Sequence, residues 1–163
     1  EWMVLENQGF GIAVSTGRNR NIEKHELLGT EAVCLLPVSH RLAGNEVISP
    51  EDLVGENFIS YFEGSIFKND IDKAFNTAKV RRLTRYEGKT TGAIIGMVGA
   101  GLGVSIIDSG FGAGSFDPRC ITIPFKPAIP YTAELLWSTQ RDLSAIQTEF
   151  LNMVREEYGD LDI

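Results

Sequence analysis

Phe58-Ile59-Ser60, Tyr61-Phe62-Glu63-Gly64-Ser65 and the run from Ile66 to Ala78 follow one another with three different textures. The first is short and apolar, as a buried strand is. The second is mixed and contains glycine, as a loop is. The third places Phe67, Ile71, Ala74, Phe75 and Ala78 at spacings of three and four, the period of an amphipathic helix. The same order then repeats. Val80 to Glu87 reads as extended, Thr90 or Thr91 caps a helix through Ile94, Met97 and Val98, and Val104-Ser105-Ile106-Ile107 is again a buried strand. Strands alternating with helices between Leu53 and Ile107 predict an α/β fold with a mostly parallel sheet. In such sheets ligands collect at strand ends, near helix N-termini.

Upstream, Glu1 to Asn7 reads as the tail of a helix ended by Gly9, and Phe10 to Ser15 as a short strand. Thr16 to Asn21 is polar and loop-like. His25 to Leu36 is a long extended run stopped by Pro37, with a turn over Val38 to Ala43. Ser49-Pro50-Glu51-Asp52-Leu53 has the cap, the proline and the acids of a helix start, closed by Gly55. Downstream, Asp108 to Pro118 is a glycine-rich loop, and Cys120 to Phe125 and Ala133 to Ser138 are strands. Asp142 or Ser144 opens the last helix, with Ser144 and Gln147 at capping-box spacing. Its apolar stripe is Ile146, Phe150, Leu151, Val154 and Tyr158.

Composition narrows the function classes. The 163 residues suit one domain or two small lobes, and a chain of this length buries about 70% of its unfolded surface without staples. The net charge of -7 opposes phosphate binding, so this stretch is not expected to hold DNA by itself. The local basic cluster Arg81, Arg82 and Arg85 reads as a solvated face. Cys34 and Cys120 both sit in apolar runs and read as buried thiols. Neither forms a C-x-x-C motif and only two histidines are present, so neither a metal site nor a cofactor is expected. No apolar run approaches membrane-spanning length and no leader is visible, which makes the cytoplasm the expected location.

Four motifs carry candidate chemistry. Gly99-Ala100-Gly101-Leu102-Gly103 tempts toward a nucleotide loop, but it follows a helix and opens a strand, the reverse of a dinucleotide fingerprint. It reads as a helix C-cap with close helix–strand packing. Tyr61 to Ser65 and Glu87 to Thr91 each lead from a strand into a helix start, where backbone N–H groups can hold a carboxylate. Each taken alone reads as simple capping, whereas two such starts facing one cleft make a small-anion site. His25 and His40 neighbour no nucleophile motif, and no catalytic constellation emerges. His40, in a turn, is expected to make backbone hydrogen bonds.

The stretch Leu35-Leu36-Pro37-Val38-Ser39-His40-Arg41-Leu42-Ala43 resembles the Leu-Pro-x-x-His-Pro/Arg-Leu-Ala signature of LysR-type bacterial transcription regulators. Ile48 to Leu53, Phe58 to Ser60, Ile71 to Phe75, Val98 to Ser105 and Phe150-Leu151 follow in the family's order over nearly the whole chain. The resemblance implies a two-lobed, type 2 periplasmic-binding-protein-like fold with a small effector between the lobes. It implies a partial first lobe and crossover over 1–25, a complete second lobe over 26–115, and a return crossover with the first lobe's C-terminal helix over 116–163. It implies a homo-oligomer, and DNA contact only through a winged helix-turn-helix that this stretch lacks, together with the first lobe's opening strand, helix and strand. Ser15 and Thr16 match the crossover near the family's cleft, and Tyr61 to Ser65 and the Thr90–Thr91 helix start match positions that line it. The family's usual proline after the last second-lobe strand is here Asp108. Glu31 to Cys34 resembles members that sense amino-acid-like or opine-like ligands.

The expected function is therefore effector sensing: a small metabolite bearing a carboxylate, contacted by Ser15, Thr16, Ser60, Tyr61, Phe62, Glu63, Gly64, Ser65, Thr90 and Thr91. Glu63 would select a cationic group if it points inward. Two rivals stay open. A solute-binding protein of a transport system predicts a secretory signal upstream of Glu1. An enzyme on the same fold needs acid and base groups of perturbed pKa converging in the cleft.

Overall fold

The computed structural model describes residues 10–14, 20–111, 117–139 and 143–158. The strands are β1 (Phe10–Ala13), β2 (Ile22–Pro37), β3 (Asn57–Tyr61), β4 (Leu83–Gly88), β5 (Ser105–Asp108), β6 (Cys120–Pro124) and β7 (Pro130–Ser138). The helices are α1 (Ile66–Thr77), α2 (Thr91–Gly99) and α3 (Ala145–Tyr158), with short 3-10 turns at Pro50–Leu53 and Ser109–Phe111. The chain divides into two compact units, Thr30–Tyr131 and Glu1–Gly29 with Thr132–Ile163. The division falls inside the long strands β2 and β7.

In the Thr30–Tyr131 unit, β3 and β4 pair in parallel, with Tyr61 opposite Gly88. A parallel bridge between Phe58 and Val104 brings β5 to the other side of β3. β5 then pairs antiparallel with β2, which pairs antiparallel with β6. The sheet is thus parallel across the three strands that alternate with helices, as expected, and mixed where β2 intervenes. β6 packs in this unit, where Cys120, Ile123 and Phe125 bury themselves in the same core as Leu35, Leu36 and Ile48.

The helices bury the faces their spacing predicts. Phe67, Ile71, Ala74 and Phe75 of α1 pack with Phe58, Ile59, Ile94, Val98 and Ile106. Removing one such side chain, as in Ile71→Ala, costs about 2–5 kcal/mol through lost transfer energy and the cavity left behind. Both helix ends are closed by hydrogen bonds. At the end of α2, Leu102 N–H reaches Met97 O at 3.1 Å and Gly101 N–H reaches Val98 O at 2.8 Å, with Gly101 at φ +76°. That is the glycine C-cap expected of Gly99 to Gly103. The end of α1 uses the same pattern through Val80 and Lys79, with Lys79 at φ 58°.

Ser49 to Leu53 forms a single 3-10 turn. The Asp52 carboxylate accepts both from Ser49 N–H and from Ser49 O–H at 2.8 Å. Gly55, at φ +83°, closes it.

In the other unit, β1 pairs antiparallel with β7, and β7 lies beside β2. Leu135, Trp137, Leu151 and Val154 form its core, with Leu27, Leu143 and Phe150 packed against it. The capping box at α3 forms as its spacing predicts: Ser144 N–H donates to Gln147 Oε1 at 2.8 Å, and Gln147 N–H donates to Ser144 Oγ at 3.3 Å. The expected stripe needs one correction. Ile146 is 82% exposed, because Leu151 and Val154 alone carry the fully buried face of this helix among its described side chains. The helix expected over Glu1 to Asn7 lies outside the described residues.

Candidate functional site

Parallel pairing fixes where the expected site residues meet. β3 and β4 run in the same direction with their ends in register, so the helices that follow both start at one end of the sheet. Ser65 caps α1, its hydroxyl accepting from Lys68 N–H at 3.5 Å. Thr90 caps α2, its hydroxyl accepting from Ala93 N–H at 3.3 Å. Thr91 is the first residue of α2, and its hydroxyl shares a 2.9 Å hydrogen bond with the Tyr61 hydroxyl at the end of β3. Phe62 N–H reaches across to Gly88 O at 3.2 Å. Two helix N-termini, both with their positive dipole ends at one sheet edge, suit a small anion.

The remaining expected residues differ in accessibility. Ser60 and Tyr61 are buried, Phe62, Glu63 and Gly64 are exposed, and Ser65 is half-buried. Gly64 takes φ +93°, a left-handed turn that lets the loop double back into α1. Glu63 is 81% exposed on its side chain and pairs with Lys68 Nζ at 2.8 Å. Lys68 also holds Asp72 at 2.9 Å, and Asp72 pairs with Arg82. Ser15 and Thr16 lie outside the described residues.

Two neighbours lie outside the expected contact set, Tyr131 and Asp108. Tyr61 and Tyr131 both meet the Phe67 ring edge-on, at centroid distances of 5.4 and 5.0 Å. Asp108, the last residue of β5, is 4% exposed, and its Oδ1 accepts from Gly110 N–H at 2.9 Å. Burial raises the Tyr61 phenol well above its ordinary pKa; the Thr91 bond draws it back, and the Asp108 charge adds to the rise. Burial likewise raises Tyr131, with Asp108 second. Asp108 stood out in the sequence as an acid where a proline is usual. Tyr131 carried no signal, because only tertiary packing brings it to Phe67.

Elsewhere several charged residues make structural pairs. Arg82 corrects the expectation of a solvated basic face: its guanidinium lies 4.8 Å from the centroids of both Phe58 and Phe75 and pairs with Asp72. Arg81 and Arg85 are exposed, as expected. His40 Nδ1 accepts from Leu42 N–H at 3.3 Å, so its proton sits on Nε2, which meets Glu56 at 3.1 Å. Burial works to raise the Glu56 carboxyl, but the Arg41 and His40 bonds together hold it below its ordinary value. Cys34 and Cys120 are buried and free, and burial raises both thiols, which keeps them in the unreactive form. Among the described residues no group of His, Cys, Asp and Glu is arranged to hold a metal, and no helix is long and apolar enough to cross a membrane.

Comparison with known proteins agrees with this architecture. The family model for the LysR substrate binding domain matches residues 3–159. The transcriptional activator protein LysR of Escherichia coli (strain K12) is 28% identical over 150 residues, covering 92% of this chain and 48% of that protein. The regulatory protein NocR of Agrobacterium tumefaciens (strain T37) is 28% identical over 151 residues, covering 92% and 50%. The chain therefore spans about half the length of the curated relatives it matches. Among solved structures, the Synechocystis PCC6803 CcmR regulatory domain in complex with 2-PG superposes with a TM-score of 0.82 at 18% identity, over 98% of this chain and 78% of that one. The effector binding domain of QuiR in complex with shikimate gives 0.80 at 17% identity, over 96% and 74%. The fold is the periplasmic-binding-protein-like fold of these regulatory domains.

Proposed function

We propose, from the premise that this chain belongs to the LysR substrate-binding domain family, that it is the sensing module of a transcription regulator and binds a small carboxylate-bearing effector. The observation that carries the reading is the register of Tyr61 opposite Gly88, which sets the starts of α1 and α2 at one sheet end. Free N–H groups at each start attract an anion by about 0.3–2 kcal/mol from the dipole alone. Ser60, Tyr61, Phe62, Glu63, Gly64, Ser65, Thr90 and Thr91 are the proposed contacts in the Thr30–Tyr131 unit, and Ser15 and Thr16 are proposed from the sequence resemblance alone. That two structural neighbours are ligand complexes, with 2-PG and with shikimate, supports a ligand role for this fold.

An effector shifts a conformational equilibrium only by its differential affinity for the two states. In this reading the ligand biases the domain, a homo-oligomer passes the bias on, and a helix-turn-helix elsewhere in the whole cytoplasmic protein reads it out on DNA. The relatives are transcriptional regulators, which favours this reading over transport or catalysis.

Alanine at Thr90 and Thr91 together tests the site. Titration calorimetry on the full-length protein should show effector affinity falling by about tenfold or more, the scale of one lost charge-assisted hydrogen bond. The melt should stay cooperative, lowered only by loss of one cap, about 1 kcal/mol. Unchanged affinity would remove these helix starts from the site.

A further inference from the structure

We draw no further inference here: the strongest candidate, the surface along strand β4, where Leu83, Thr84, Arg85, Tyr86 and Glu87 are all exposed, carries nothing because nothing among the described residues shows what covers it.

Discussion

At Gly103 a single methyl group would meet the carbonyl oxygen of Asn57 at 2.2 Å, against backbone that anchors β3 to β5. Gly103→Ala should therefore destabilise by about 1–3 kcal/mol, the cost of overpacking that cannot relax. Gly96, on the exposed side of α2, has nothing within 4 Å of its added Cβ. Gly96→Ala should stabilise by about 0.5–1 kcal/mol through lower unfolded-chain entropy. Chemical denaturation of the two variants checks both signs, and the opposite order would contradict the packing described. At this scale the sequence was partly legible. Gly99 to Gly103 announced a cap and a close approach, because helix-then-strand polarity excludes the nucleotide alternative. Arg82 was not legible, since an arginine beside Arg81 and Arg85 looks solvated until Phe58 and Phe75 fold around it. Asp72→Ala would leave that guanidinium without its carboxylate, and should cost on the order of 2–3 kcal/mol, below the range for fully buried pairs because some solvent reaches this one.

Among the elements, α1 ends on an unusual residue. Lys79 occupies the left-handed position that closes the helix, with N–H bonds from Lys79 and Val80 back to Asn76 and Phe75. A side chain there is strained by about 1–2 kcal/mol relative to glycine. Lys79→Gly should raise stability by about 1 kcal/mol, read as a higher denaturation midpoint with unchanged slope. A lower midpoint would mean the lysine makes a compensating contact. Strand and helix order was readable from Phe58 to Ile107 because each apolar run has its own period. The α3 stripe was readable only in part: periodicity includes Ile146, but burial depends on what the neighbouring β7 covers, which ends at Leu151 and Val154. The site's polar half, the Ser65 and Thr90 caps, follows from local sequence. Of the rings beside those caps, Tyr61 was legible and Tyr131 was not, because Tyr131 comes from a strand distant in the chain.

For the whole molecule, two carboxylates tie acid stability to structure. Hydrogen bonds and charge from Arg119 hold Asp117 down to about 2, against an ordinary 3.8. Glu56 is also held below its ordinary 4.5, the Arg41 and His40 bonds outweighing burial. A depressed folded-state pKa means the unfolded chain binds protons first as pH falls, so the stabilisation is full above the unfolded values and drains away below them. Stability should therefore fall as pH drops from about 4.5 toward about 2. Asp117→Asn and Glu56→Gln should each flatten that fall, measured as melting temperature against pH; an unaltered slope in both would contradict these pairings.

The most direct test of the sensing role is a thermal-shift screen of the full-length protein against amino acids, opines and small organic acids. A ligand at about 100 times its dissociation constant adds about 2.7 kcal/mol, roughly 5–11 °C for a domain of this size. The expected result is a shift of that order with one chemical class and its loss in the Thr90 and Thr91 double variant. A cooperatively melting protein that responds to none of these compounds would contradict it.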